Sequence, residues 1–319
     1  MNQHRTRRAW LLALSALGLA LISQGCGAAS TPTWDQLQAF YAYDATQPLE
    51  AKAEEPQDRG IMTAQTVHFS SINGQRVPAL LCRPKTPAKP KVILALHGLG
   101  GDRNQGTMIL APLVCPLGIA VMSIDAPFHG ERKVEGKQVF SSDPVATGAA
   151  FRQAIVDNRR AIDYLKTRDD LDTDHLVLVG MSLGSIMGTI VTAVDQRIAA
   201  PWLIVGGGNL PEMFNRSQIG LVKKLRSEMG DLERFADQFP YIDPVSFSGH
   251  ISPRPLLMLN GRTDKIIPSV CSEALFAAAR DPKTIVWYDG GSGEGHIPPL
   301  KVFYEQLRAF LEAQGLAGS

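Results

Sequence analysis

The sequence predicts an α/β protein built on one open, mostly parallel sheet with helices on both faces. Three features predict it: six short, near-continuous apolar runs, amphipathic helical segments between them, and an alternating hairpin ahead of them all. At 319 residues, with 45% hydrophobic and 20% charged residues, the chain can bury one large core. Its formal net charge of +1 lacks the basic excess that neutralises phosphates, which argues against a nucleic-acid partner.

The N-terminus has a separate task. Arg5, Arg7 and Arg8 precede an apolar run from Trp10 to Ile22, small residues follow, and no acidic residue occurs before Asp35. That is the layout of an export signal, and the run is short for a ~30 Å hydrocarbon core. Residues 1–25 are therefore expected to be a signal peptide, and the protein to be exported to the periplasm or cell surface. Ser23 to Cys26 resembles a bacterial lipobox, with Ser23 where Leu is usual, so Cys26 is a candidate lipidation site and membrane anchor. TRRAWLL also resembles a twin-arginine signal, with Trp10 replacing Phe. Cys82, Cys115 and Cys271 remain, an odd number that allows at most one disulfide. None sits in a CxxC pair or beside a histidine cluster, and no metal site is expected.

The mature chain opens with a short helix, WDQLQAFYAYD, inside an N-terminal segment spanning 26–60. The main domain, 61–319, starts with two alternating strands that turn through Asn73 and Gly74. KVILALHG, GIAVMSIDAP, HLVLVGMS, APWLIVGGG, RPLLMLNG and KTIVWYDGG then read as strands covered on both faces. Between them, one helix places Phe151, Ile155, Ile162 and Leu165 on one face. The last helix does so with Leu300, Phe303, Leu307 and Phe310. The polar, helix-prone stretch at about 209–252 interrupts the alternation and is expected to form a small cap over the strand ends.

The stretch LVLVGMSLGSIMG raises a chemical question, because a buried strand ends on a serine between two glycines. Ser182 at the carboxyl end of a parallel strand sits where open α/β sheets bind ligands. A tight strand-to-helix turn exposes its hydroxyl and leaves no room for side chains at Gly180 and Gly184. The helix that follows aims its N-terminal N–H groups at charge developing near Ser182.

A serine needs a base. His296, in the glycine-rich YDGGSGEGHIPP after the last strand, is the candidate. His4, His68, His175 and His250 are poorly placed by comparison, and His97 is read as an anchor of its own loop. A carboxylate must hold the imidazole. Asp264, following the penultimate strand, is favoured over the nearer Asp289 and Glu294 because it leaves from a neighbouring strand end. The order Ser182, Asp264, His296 also suits this architecture. The glycine-rich LALHGLGGDR frees backbone N–H groups, and the oxyanion hole is assigned to the N–H of Leu99 and of Leu183. Met181 and Phe128 are candidates for an apolar lining.

Together HGLGG, GMSLG, NGRTDKIIP and the final GH resemble the α/β-hydrolase superfamily from about Thr63 to Leu311. DAPFHGER, Asp125 to Arg132, is similar to the corresponding segment of dienelactone hydrolase-like and prolyl oligopeptidase-like esterases. Dienelactone hydrolases proper use cysteine where this chain has Ser182. The resemblance implies an α/β-hydrolase fold and a serine carboxylesterase acting on a small-molecule ester with no cofactor. It also implies that His129 and Arg132 shape the wall of the site. A serine peptidase, thioesterase or acyltransferase would use the same residues, and a non-catalytic surface lipoprotein is the alternative from another class.

Overall fold

The computed structural model describes residues 31–229 and 232–316; the predicted signal over 1–25 and the lipidation candidate Cys26 lie outside them. The first helix, α1 (Trp34–Phe40), starts on a capping box: the Thr33 hydroxyl accepts from Gln36 N while the Gln36 side chain accepts from Thr33 N. Two two-residue edge strands that the alternation does not signal, β1 (Lys52–Ala53) and β2 (Gln57–Asp58), pair with β3 (Met62–Ser70). The chain turns through Asn73 and Gly74, both at positive φ, into β4 (Arg76–Pro84).

The repeating part follows as β5 (Lys91–Leu96), α2 (Arg103–Val114), β6 (Ile119–Ile124), α3 (Pro144–Lys166), β7 (Asp172–Met181), α4 (Leu183–Val194) and β8 (Ile198–Ile204). Four helices occupy the 209–252 stretch: α5 (Leu210–Arg216), α6 (Gly220–Met229), α7 (Phe239–Ile242) and α8 (Val245–Ser248). The chain ends on β9 (Leu256–Gly261), α9 (Ser269–Ala278), β10 (Lys283–Tyr288) and α10 (Leu300–Ala313).

Across the sheet the order is β1-β3-β4-β6-β5-β7-β8-β9-β10, with β2 also on β3. β4 is antiparallel to β6, and every neighbouring pair from β6 to β10 is parallel. All the parallel strands therefore present their carboxyl ends to one rim, where the loops carrying Ser182, Asp264 and His296 emerge.

Each face of the sheet has its own apolar layer. On one, Leu176 and Leu178 of β7 meet α3 and α4 through Phe151, Ile155, Ile162 and Ile190, all fully buried. On the other, Val177 and Val179 meet α2 and α10. Trp202 of β8 stacks there on Phe303 and Phe310, with ring centroids 5.5 and 5.7 Å apart. Of the stripe expected to be buried on α10, Phe303, Leu307 and Phe310 are, but Leu300 is 70% exposed. It is the first residue of the helix and has no neighbouring layer to enter.

The 209–252 stretch is not a separate body. Phe214, Phe235, Ile242 and Phe247 belong to the same apolar layer as α3 and α4. It is also bound to the N-terminal segment: Tyr41 Oη donates to Tyr241 O at 2.7 Å, and Trp34 stacks on His250 at 3.7 Å. Cys82, Cys115 and Cys271 are free and buried, and desolvation pushes their thiols up to about 11, 12 and 12.

Candidate active site

The turn after β7 places Ser182 in a conformation that L-residues rarely adopt, φ 56° and ψ −117°. Close packing around the turn holds it there. A Cβ on Gly180 would lie 2.4 Å from Gly184 O, and one on Gly184 would lie 2.2 Å from Leu96 O. Ser182 N donates to Ile204 O at 2.9 Å, and Ser185 Oγ lies 2.6 Å from Gly180 O and 2.7 Å from Ile204 O. Ser185 thus ties the start of α4 to the ends of β7 and β8. Sequence reasoning missed it because a small polar residue on a helix gives no sign of a tertiary partner.

Asp264 divides its carboxylate between two tasks. Oδ1 accepts from the N–H of Ile266 and Ile267 at 2.7 and 3.0 Å, while Oδ2 lies 2.7 Å from His296 Nδ1. Its side chain is 1% exposed, so neither contact competes with bulk water. The competing carboxylates stand elsewhere: Asp289 is exposed beside Arg262 at 3.7 Å, and Glu294 is an exposed loop residue at positive φ.

The far nitrogen of His296, Nε2, lies 2.9 Å from Ser182 Oγ. With Nδ1–H donating to the carboxylate, Nε2 carries the lone pair that faces the serine hydroxyl. The loop is braced from below: Tyr288 Oη donates to Gly295 O at 2.9 Å, and Lys265 N donates to Glu294 O at 3.0 Å. At Gly295, with φ 82°, a Cβ would meet Thr263 O at 2.8 Å, so the chain passes against the Asp264 loop.

The loop after β5 closes the other side. An ideal Cβ on Gly98 would be 3.5 Å from Ser182 Cβ, so this backbone lies directly over the serine. The N–H groups of Leu99 and Leu183 donate to no protein acceptor among the described residues. His97 holds the loop: its Nε2 accepts from Ala126 N at 3.2 Å, leaving Nδ1–H to donate to Gly98 O at 2.8 Å. Both nitrogens are committed, and burial holds the imidazole below its usual range, so it is neutral. Arg103, at the start of α2, pairs with the buried Asp125 and with Glu131, bracing the same loop.

Met181 and Phe128 are half-buried beside these elements, Phe128 with φ 64°. His129 is 4% exposed; its Nδ1–H donates to Pro127 O at 2.8 Å, and its buried Nε2 has no partner. Arg132 is committed elsewhere, donating to Asp157 Oδ2 at 2.6 Å and to Asp125 O at 3.1 Å. Burial raises the Asp157 carboxyl despite that partner. Among the described residues, no group of three or more His, Cys, Asp and Glu side chains could hold a metal ion, and no helix is long and apolar enough to cross a membrane.

No family model matches the chain. Among solved structures, an acetyl xylan esterase from Paenibacillus sp. R4 superposes with a TM-score of 0.72 at 18% identity, covering 88% of this chain and 92% of that one. Acetyl xylan esterase 1 from a Thermoanaerobacterium species gives 0.70 at 16%, covering 89% and 96%. These likenesses establish the α/β-hydrolase fold. Among relatives in sequence, Uncharacterized protein YfhR of Salmonella typhi is 31% identical over 286 residues, 85% of this chain and 84% of its own. With that identity sustained along nearly the whole of both chains, the protein belongs to the YfhR family and carries the α/β-hydrolase fold.

Proposed function

We propose that the protein is a serine hydrolase that cleaves carboxylic esters through an acyl-enzyme on Ser182. The observation that carries this reading is the unbroken contact from Asp264 through His296 to Ser182 Oγ, at 2.7 and 2.9 Å. His296 takes the hydroxyl proton as Oγ attacks the ester carbonyl, and the unengaged N–H groups of Leu99 and Leu183 receive the negative oxygen. The tetrahedral intermediate collapses, the bond to the alcohol oxygen breaks, and His296 returns the proton to that alcohol. Water, deprotonated by the same imidazole, then attacks the acyl-enzyme and releases the acid and free Ser182. Every proton is accounted for by His296, with Asp264 stabilising its cation. The reading assigns no role to a cofactor or metal.

Hydrolysis of p-nitrophenyl acetate and butanoate tests it. Turnover is expected in the wild type, and Ser182→Ala should lose on the order of 10⁶-fold in kcat. Equal activity in the two proteins would overturn the assignment of Ser182.

We further propose that the enzyme works outside the cytoplasm, on the strength of the arginines, the apolar run and Cys26 in the first 30 residues. Cell fractionation, with radiolabelled palmitate incorporation compared between wild type and Cys26→Ser, tests both the location and the anchor.

A further inference from the structure

The two edges of the sheet are built differently. At one, β1 and β2 are exposed two-residue strands laid on β3, carrying Lys52 and Asp58. Short, charged strands of this kind keep other chains from pairing there. At the other edge stands β10, six residues in unbroken parallel register with β9. After Lys283 it reads TIVWY, with no charge, proline or bulge to blunt it. Ile285 and Val286 pack on opposite apolar layers, yet both, like Trp287, are only half-buried. The backbone of this edge is open as well. Leu256 N donates to Pro282 O and Arg262 N to Tyr288 O, each at 3.0 Å, so the even-numbered residues of the strand face β9. By alternation the N–H and C=O groups of Lys283, Ile285 and Trp287 face outward, and none has a protein partner among the described residues.

We infer that β10 pairs antiparallel with β10 of a second copy of this chain, about a two-fold axis through Val286. Such a pairing is closed and self-limiting, whereas head-to-tail addition to the opposite edge is blocked by the short strands there. Charge and apolar pattern fix the register. With Val286 on the axis, Ile285 lies opposite the partner's Trp287, and Lys283 lies opposite the partner's Asp289. These side chains share one face of the sheet, so apolar pairs stand at the centre with oppositely charged pairs outside them. Lys283 Nζ donates to Phe276 O and Ala279 O at 2.7 Å, which fixes a positive charge at the start of the strand. Asp289, 75% exposed just beyond its end, supplies the negative one. Each Ile285–Trp287 pair exchanges two N–H···O bonds across the join. An axis through Ile285 would instead set Lys283 against Trp287 and Asp289 against Asp281, a pairing of like charges.

Sedimentation velocity of the purified protein at micromolar concentration tests this, with thermal unfolding as the check that each variant is folded. The wild type is expected to sediment with the mass of two chains. Ile285→Pro removes an outward N–H and no bond to β9, and should sediment as a single chain. Asp289→Lys turns both attractive pairs into repulsive ones and should raise the dissociation constant of the dimer about tenfold. Adding Lys283→Glu restores opposite charges and should recover most of that loss. If Ile285→Pro fails to fold, the charge variants decide the matter alone. A wild type that sediments as one chain would overturn the inference, as would a dimer that neither Ile285→Pro nor Asp289→Lys weakens. Neither result bears on the chemistry proposed at Ser182.

Discussion

His296 Nδ1 lies 2.7 Å from Asp264 Oδ2, although the two residues leave the sheet on different strands, β10 and β9. The carboxylate holds the tautomer that points the Nε2 lone pair at Ser182. Asp264→Asn would keep the shape and offer an amide in place of the charge, so kcat should fall on the order of 10⁴-fold. Steady-state kinetics on p-nitrophenyl butanoate measures this, and a loss under tenfold would assign the orienting role to another group.

Tyr288 acts one step further from the chemistry. It is 3% exposed, and its hydroxyl holds Gly295 O, immediately before the base. Tyr288→Phe keeps the ring and leaves that buried carbonyl without its donor, at a cost of about 1–3 kcal/mol. Because the loop carries His296, kcat should fall about tenfold while KM changes little. A proportional loss of stability with unchanged kcat would make the contact purely structural.

Gly184 bears on the turn itself. Its absent Cβ would overlap Leu96 O at 2.2 Å, a backbone atom inside the sheet. Gly184→Ala must push α4 from β5, with an expected loss of about 3 kcal/mol, measured by urea unfolding. Unchanged stability would show that the turn can relax.

His97 makes stability depend on pH. Burial depresses its folded pKa below the ordinary 6.5, so between the two values the unfolded chain binds more protons than the folded one. Its contribution is fully present above pH 6.5 and is lost as pH falls toward the folded value. Thermal unfolding between pH 5 and 8 should show wild type losing stability below pH 6.5 more steeply than His97→Gln. Parallel curves would exclude His97 as the source.

What was legible in the sequence was whatever the local pattern specifies. Apolar runs such as KVILALHG mark strands buried on both faces, and the motif around Ser182 declares itself because a strained strand-to-helix turn demands glycine on either side. Asp264 could be ranked above Asp289 and Glu294 by strand order, since topology dictates which loops share a rim. Tertiary packing decided the rest. Ser185, Tyr288 and the His97 bridge to Ala126 act through partners 19, 7 and 29 positions away, and no periodicity records such pairings. Leu300 carries the same lesson in reverse: its helical position matches that of buried Phe303 and Leu307, yet it stands 70% exposed. Amphipathic spacing determines which face of a helix is apolar, but only the packed neighbours determine how much of that face is covered.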